Sequence, residues 1–163
     1  MQIAWDDQKE LLRVFNAHGV EYLIVGAFAV SRYSEPRATK DIDLLLRGTE
    51  QNSRAVYRAL AEFGAPLDGI TSADFLEPES MLQIGVDPVR IDLMQSVAGV
   101  ATEEAWARRV AGTFLAEEIP VFYISVEDLI AAKLAAGRPH DLLDVARIRK
   151  AQAKVNAQNG NKQ

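Results

Sequence analysis

The run Asp41-Ile42-Asp43-Leu44-Leu45-Leu46 constrains what this chain can fold into more than any other stretch. Two carboxylates at the head of an apolar run predict a β-strand with an acidic start. Strand geometry sends residues i and i+2 to the same face, about 6.5 to 7 Å apart along the chain, so Asp41 and Asp43 point the same way and Ile42 is buried opposite. Two aligned carboxylates repel each other. A divalent cation with a preference for oxygen removes that repulsion, and Mg²⁺ held by two carboxylates keeps positions free for water and substrate phosphates.

Elements on either side of this strand follow from periodicity. Leu11, Leu12, Phe15 and His18 recur at helical spacing after Asp6-Asp7 and stop at Gly19. Tyr22-Leu23-Ile24-Val25 predicts a strand, Gly26 a tight turn, and Ala27 to Tyr33 a helix. Residues 34–40 have turn composition with two cations, Arg37 and Lys40. Between Thr49 and Phe63, Val56, Leu60 and Phe63 predict an amphipathic helix, and Asp68 to Ser80 reads as loop. Met81 to Val86 and Val89 to Met94 predict a hairpin around Asp87-Pro88, with Arg90, Asp92 and Met94 on its polar face. A helix is expected over Glu103 to Val110, strands over Thr113 to Leu115 and Val121 to Ile124, and a helix capped by Ser125 running to Gly137. Pro139 opens a last helix carrying Leu142, Val145 and Ile148. One domain is expected over 1–150, its C-terminal helical part spanning about 125–150, with a polar, frayed tail over 151–163.

Composition narrows the chemistry. The 163 residues include no cysteine and two histidines, which removes disulfides, thiolate catalysis and cysteine-type zinc sites and leaves oxygen as the metal-binding atom. A formal charge of −5 provides no overall field toward nucleic acid or anionic lipid, so any nucleic-acid contact needs a local basic patch. The N-terminus lacks the features of a signal peptide and no apolar run spans a bilayer, which gives a cytoplasmic expectation with no membrane partner.

An Asp-x-Asp alone is weak evidence, because a solvated strand edge produces it often. Here it is joined by Gly26 at a strand-to-helix turn, where the backbone can approach a phosphate and helix amides face the anion. A basic loop lies between, and Asp92 sits on a later strand with apolar flanks. Asp92 placed beside Asp41 and Asp43 would complete the carboxylate set of a two-metal phosphoryl-transfer site.

Val25-Gly26-Ala27-Phe28-Ala29-Val30, Arg37-Ala38-Thr39-Lys40-Asp41-Ile42-Asp43-Leu44 and Arg90-Ile91-Asp92-Leu93 together resemble the nucleotidyltransferase superfamily of the DNA polymerase beta type. The stretch Ser125 to Val145 resembles its small prokaryotic branch related to abortive-infection and toxin–antitoxin nucleotidyltransferases. The resemblance covers most of residues 20–148. It implies an α/β (α+β) fold with a mixed central sheet flanked by helices, and Mg²⁺- or Mn²⁺-dependent transfer of a nucleoside monophosphate from an NTP such as ATP to a hydroxyl. In it Asp41 and Asp43 are ligands shared by two metals, and Asp92 holds the metal that activates the acceptor. Gly26 and the amide of Ala27 cradle the triphosphate, and the nucleotide-binding set extends to Arg37, Thr39, Lys40 and Lys133. One departure is that the family usually has Gly or Ser where this chain has Ala27, which offers no hydroxyl.

Each of the remaining residues has an alternative. Arg37 and Lys40 either neutralise phosphate charge or balance Asp41; Lys133 either reaches the nucleotide or pairs with Asp141 or Asp144. His140 reads as a helix-start surface residue and His18 as a helix-dipole partner. Trp5 and Trp106 read as packing or edge residues. The acceptor stays open between tRNA, a protein hydroxyl and a small antibiotic, with a long DNA duplex disfavoured by charge. The second expectation is a catalytically idle domain on the same fold, acting as a partner-binding antitoxin or nucleotide sensor.

Overall fold

The computed structural model describes residues 1–114 and 118–162. The chain runs α1 (Trp5–Ala17), β1 (Tyr22–Val25), α2 (Gly26–Tyr33), β2 (Asp41–Leu46), α3 (Glu50–Phe63), a short 3₁₀ turn (Ser72–Leu76), β3 (Met81–Val86), β4 (Val89–Met94), α4 (Thr102–Ala107), β5 (Val110–Phe114), β6 (Ile119–Tyr123), α5 (Val126–Ala136) and α6 (Pro139–Gly160). Among the described residues six strands form one mixed sheet in the order β3-β4-β2-β1-β6-β5. β2 pairs antiparallel with β1 and parallel with β4, and β1 pairs parallel with β6. Every residue of β1 is buried, so both faces of the sheet centre are covered. One helical group pairs α1 with α3, and the other gathers α2, α5 and α6. The mixed sheet flanked by helices is the architecture that the resemblance implies.

Local chemistry explains the boundaries. Gly64 and Gly137 end α3 and α5 in the left-handed conformation, which carries no Cβ penalty there. Ser125 accepts the Asp128 amide at 3.2 Å and starts α5, while Pro139 occupies the first turn of α6.

Four expectations are corrected. Residues 68–80 are not all loop: Asp74 accepts the Thr71 amide at 2.7 Å and Phe75 is buried, which folds a 3₁₀ turn around a single apolar anchor too sparse to give a period. The helix expected to reach Val110 stops at Ala107, because Arg108 turns onto Asp128 and Val110 already pairs with Tyr123. The strand expected from Thr113 therefore begins at Val110; its expected end, Leu115, lies outside the described residues. Finally, α6 continues through the stretch expected to fray, as far as Gly160, carried by Ala, Gln and Lys rather than by burial. Gln163 lies outside the described residues. No helix among the described residues is long and apolar enough to cross a membrane.

Candidate active site

The parallel pairing of β2 with β4 sets Asp43 opposite Asp92 and Asp41 opposite Arg90. Residues paired across parallel strands share a face, so the three carboxylates expected from sequence gather on one side of the sheet with Arg90 among them. The pairing is pinned from outside the sheet. Gln8, fully buried on α1, donates its amide to the carbonyls of Lys40 at 2.7 Å and Arg90 at 3.0 Å, tying together the residues at the heads of both strands. Thr39 adds a hydroxyl contact of 3.4 Å to the carbonyl of Asp41.

Gly26 opens α2 directly after β1, whose Val25 pairs with Asp43. Its φ is +66°, and a Cβ placed there would lie 2.1 Å from Oδ2 of Asp43. Glycine is required on both counts: the backbone is left-handed and the space belongs to the carboxylate. No side chain among the described residues caps α2, so the amides of its first turn are left for another acceptor.

Arg90 forms a two-pronged pair with Asp92, Nε to Oδ1 and Nη2 to Oδ2 both at 3.1 Å, and its Nη2 stands 3.6 Å from Oδ2 of Asp41. Asp43 is pushed up to about 6, first by burial and then by the charges of Asp92 and Asp41, against which Lys133 and Arg90 pull it down. Oδ1 of Asp41 is buried without a hydrogen-bond partner among the described residues. Among the described residues no three His, Cys, Asp or Glu side chains converge closely enough to hold a metal ion. A hard divalent cation nevertheless fits the donor chemistry: Asp41 keeps an orphaned oxygen, and Asp43 lacks sufficient neighbouring positive charge.

Beside Asp43 lies a cleft of about 460 Å³, lined by Gly26, Ala27, Asp43 and, from the other side, Arg37, Lys133 and Arg138. The cations are held by two fully buried carboxylates of α6, Asp141 and Asp144, the first of which also lines the cleft. Lys133 Nζ bridges both at 3.2 and 3.1 Å, Arg37 Nη1 reaches Asp144 at 3.1 Å, and Arg138 Nε reaches Asp141 at 2.7 Å. Burial alone would raise Asp141, but Arg138 and Lys133 outweigh it and hold the carboxyl down at about 2.

Sequence-expected residues therefore fall into two groups. Gly26, Ala27, Asp43, Arg37 and Lys133 line one cleft; Asp41 and Asp92 share the face of Asp43 but not the cleft wall, and neither Thr39 nor Lys40 lines it. Lys133 pairs with both candidate carboxylates while also lining the cleft. His140 is exposed at the start of α6, and the Trp106 ring packs edge-on against Phe122 under Arg109. Sequence reasoning did not assign Gln8 or Arg138 to the site, and it placed Arg90 only on the polar face of its strand, in the motif around Asp92, with no role of its own. The available signal for Arg90 was its position two residues before Asp92, on the same face of the strand.

The fold resembles that of lincosamide antibiotic adenylyltransferase LnuA, solved with lincomycin bound, at a TM-score of 0.57 and 14% identity over 93% of this chain and 99% of that one. It also resembles the antibiotic-resistance factor ANT(2'')-Ia, at a TM-score of 0.56 and 14% identity over 94% of this chain and 84% of that one. No curated protein matches in sequence. A family model, described as nucleotidyl transferase of unknown function (DUF2204), matches residues 4–161. With nearly the whole length matched and the sheet, glycine turn and carboxylates in place, the chain belongs to this nucleotidyl transferase family.

Proposed function

We propose that this enzyme is a divalent-metal-dependent nucleotidyltransferase that moves a nucleoside monophosphate from an NTP to a hydroxyl. Its biological setting would be a toxin–antitoxin or phage-defence system, as the likeness of Ser125 to Val145 to that branch suggests. The observation that carries the chemistry is the juxtaposition of Asp43 with Gly26, Asp92 and Asp41: an uncapped helix start beside a cluster of carboxylates short of positive charge. Asp41 and Asp43 would hold the cation, with Asp92 serving the acceptor side. When bound, a divalent cation screens the carboxylates and draws electron density from the phosphoryl oxygens.

In this reading the amides of Gly26 and Ala27 receive the triphosphate. Lys133, Arg37 and Arg138 supply positive charge from the facing wall, already ordered by Asp141 and Asp144. Thr39 acts through the backbone of Asp41, and Lys40, exposed beside it, adds charge at the rim. The acceptor oxygen bonds to the α-phosphorus as the bond to the α,β-bridging oxygen breaks, and pyrophosphate leaves. Asp92 takes the hydroxyl proton, which requires Arg90 to yield its two-pronged contact.

The test is incubation of the pure protein with Mg²⁺ and each α-labelled NTP against RNA, protein and small-hydroxyl acceptors, together with calorimetric titration by Mn²⁺ in the presence of nucleotide. Label transfer and a heat of binding, both lost in Asp41→Asn/Asp43→Asn, are the expected result. Equal heat from that double variant would remove the carboxylates from the site.

A further inference from the structure

A second cavity, a groove of about 1310 Å³, runs between the end of α2, the loop that follows it and the C-terminal half of α6. Among the described residues five cations line it, Arg32, Arg37, Arg147, Lys150 and Lys154, against one carboxylate, Glu35. We propose that this groove seats the acceptor, and that the acceptor is a single polynucleotide strand presenting its terminal sugar hydroxyl. The proposal rests on the nucleotidyl-transfer reading above.

Three observations carry it. The chain as a whole is acidic, at −5, so a basic groove is a local departure of the kind that nucleic-acid contact requires. Arg147, Lys150 and Lys154 stand at i, i+3 and i+7 on α6, a single helix face, with rises of about 4.5 and 6 Å between them. That is a row of charge suited to successive phosphates rather than to one anion. Arg37 lines both the groove and the nucleotide cleft, so a strand lying along α6 arrives where the transfer would occur.

Arg32, Arg147, Lys150 and Lys154 are exposed and within reach of a ligand, while Arg37 is paired with Asp144. Lys154 meets Glu35 at 3.8 Å with both side chains more than half exposed, a pair that holds weakly, and Arg147, also more than half exposed, lies 3.8 Å from Asp144. Arg32 lies 5.9 Å from the ring centres of Tyr33 and Tyr123. The volume exceeds the roughly 300 to 1,000 Å³ of a small-molecule pocket, and its charge repels a cationic acceptor. Tyr33 is the one aromatic ring lining the groove among the described residues, so the strand would be held by its backbone with little preference for sequence.

The experiment measures anisotropy of fluorescein-labelled 20-nucleotide RNA and DNA strands and of a poly-glutamate peptide on the full chain, across a salt series. Binding of labelled NTP is measured in parallel. The comparison variant is Lys150→Glu/Lys154→Glu, which lies outside the nucleotide cleft. Expected are strand binding, at least tenfold weakening in the double variant with NTP binding and melting temperature unchanged, and a log–log salt slope shallower by about 1.4. Transfer of label from α-labelled NTP to the strand, abolished by a blocked 3′ end, completes the expectation; the RNA and DNA arms decide which sugar is used. Absence of strand binding, equal binding by the double variant, equal binding of poly-glutamate, or no label on a bound strand would each overturn the proposal. If NTP binding stays intact in those cases, the nucleotidyl-transfer reading stands. Loss of NTP binding in the wild-type chain would instead bring down that reading, and the acceptor groove with it.

Discussion

Two clusters of aspartates, one on the shared face of β2 and β4 and one on α6, are treated by the fold in opposite ways. Asp141 and Asp144 on α6 are fully buried, yet Asp141 is held down at about 2, because Lys133 and Arg138 contact it directly. Asp43 on β2 is less completely buried, yet it is pushed up to about 6, with two neighbouring carboxylates and no cation in contact among the described residues. Burial alone therefore does not separate structural from chemical aspartates here. What separates them is whether the fold itself supplies the counter-charge or leaves it to a ligand.

Removing charge from the two clusters should break different properties, and the largest effect is on turnover. Asp41→Asn/Asp43→Asn should abolish label transfer. Asp92→Asn should lower turnover by orders of magnitude while NTP affinity stays near normal, since the proposed function has the triphosphate held mainly at the Gly26 turn and by the cations opposite. Transfer kinetics with equilibrium NTP binding measured beside them separate the two. Unchanged turnover in Asp92→Asn would return that residue to the role of a strand partner for Arg90.

Next in size is a loss of stability from the other cluster. Asp144→Asn leaves Lys133 and Arg37 without the buried carboxylate they share and should cost about 3 to 5 kcal/mol, read by urea denaturation. The pH dependence has a definite sign. Because Asp141 is held below its ordinary value of 3.8, its contribution is full above about pH 4 and lost as pH falls toward 2.

Legibility in the sequence divides along the same line. The Asp41/Asp43 face was readable because a strand repeats every two residues, and Gly26 because a glycine at a strand-to-helix turn has few other uses. That Asp92 would meet Asp43 was a supposition from sequence, since a parallel register depends on a crossover through α3, the 3₁₀ turn and β3, and on Gln8 reaching in from α1. Nothing local to Asp92 encodes those contacts. The opposing basic wall was visible only in part, with Arg37 and Lys133 in the expected nucleotide-binding set and Asp141 and Asp144 as alternative partners of Lys133. Its assembly needs α5, α6 and the loop at Arg37 to meet, and long-range ion pairs leave no periodicity in a sequence. The C-terminal turns of α6 were missed because they carry helix propensity without an apolar stripe.

A third and smaller effect reverses the usual direction of mutation. Raised above its ordinary value, the Asp43 carboxyl binds its proton more tightly in the folded chain, so folding stability falls as pH rises from about 4 through 6. In metal-free buffer at pH 7, Asp43→Asn should therefore stabilise the fold by about 1 to 3 kcal/mol, and the gain should vanish near pH 4. Adding Mn²⁺ with nucleotide should narrow the gap by stabilising the wild-type chain alone. A loss of stability at pH 7 would mean that Asp43 is satisfied by the protein, as Asp141 is.

The smallest effect tests the phosphate side of the cleft. Ala27 stands where the resembled family usually offers Gly or Ser, and it lines the cleft beside Gly26 at the uncapped start of α2. Ala27→Ser adds one hydroxyl without disturbing the backbone amide, which the amide-cradle reading makes the main contact. A single hydrogen bond to an anion bound there contributes about 0.5 to 1.5 kcal/mol net, so NTP affinity should rise by roughly two- to tenfold with turnover almost unchanged. Arg37, Lys133 and Arg138 hold positive charge on the opposite wall in both proteins, and the gain should persist when Asp92→Asn is combined with it. Equilibrium binding of a labelled NTP to the two variants and their combination measures this. A gain that appears only with Asp92 intact would place residue 27 against the acceptor rather than the triphosphate, whereas no gain at all would move the triphosphate away from the start of α2 and onto the basic wall.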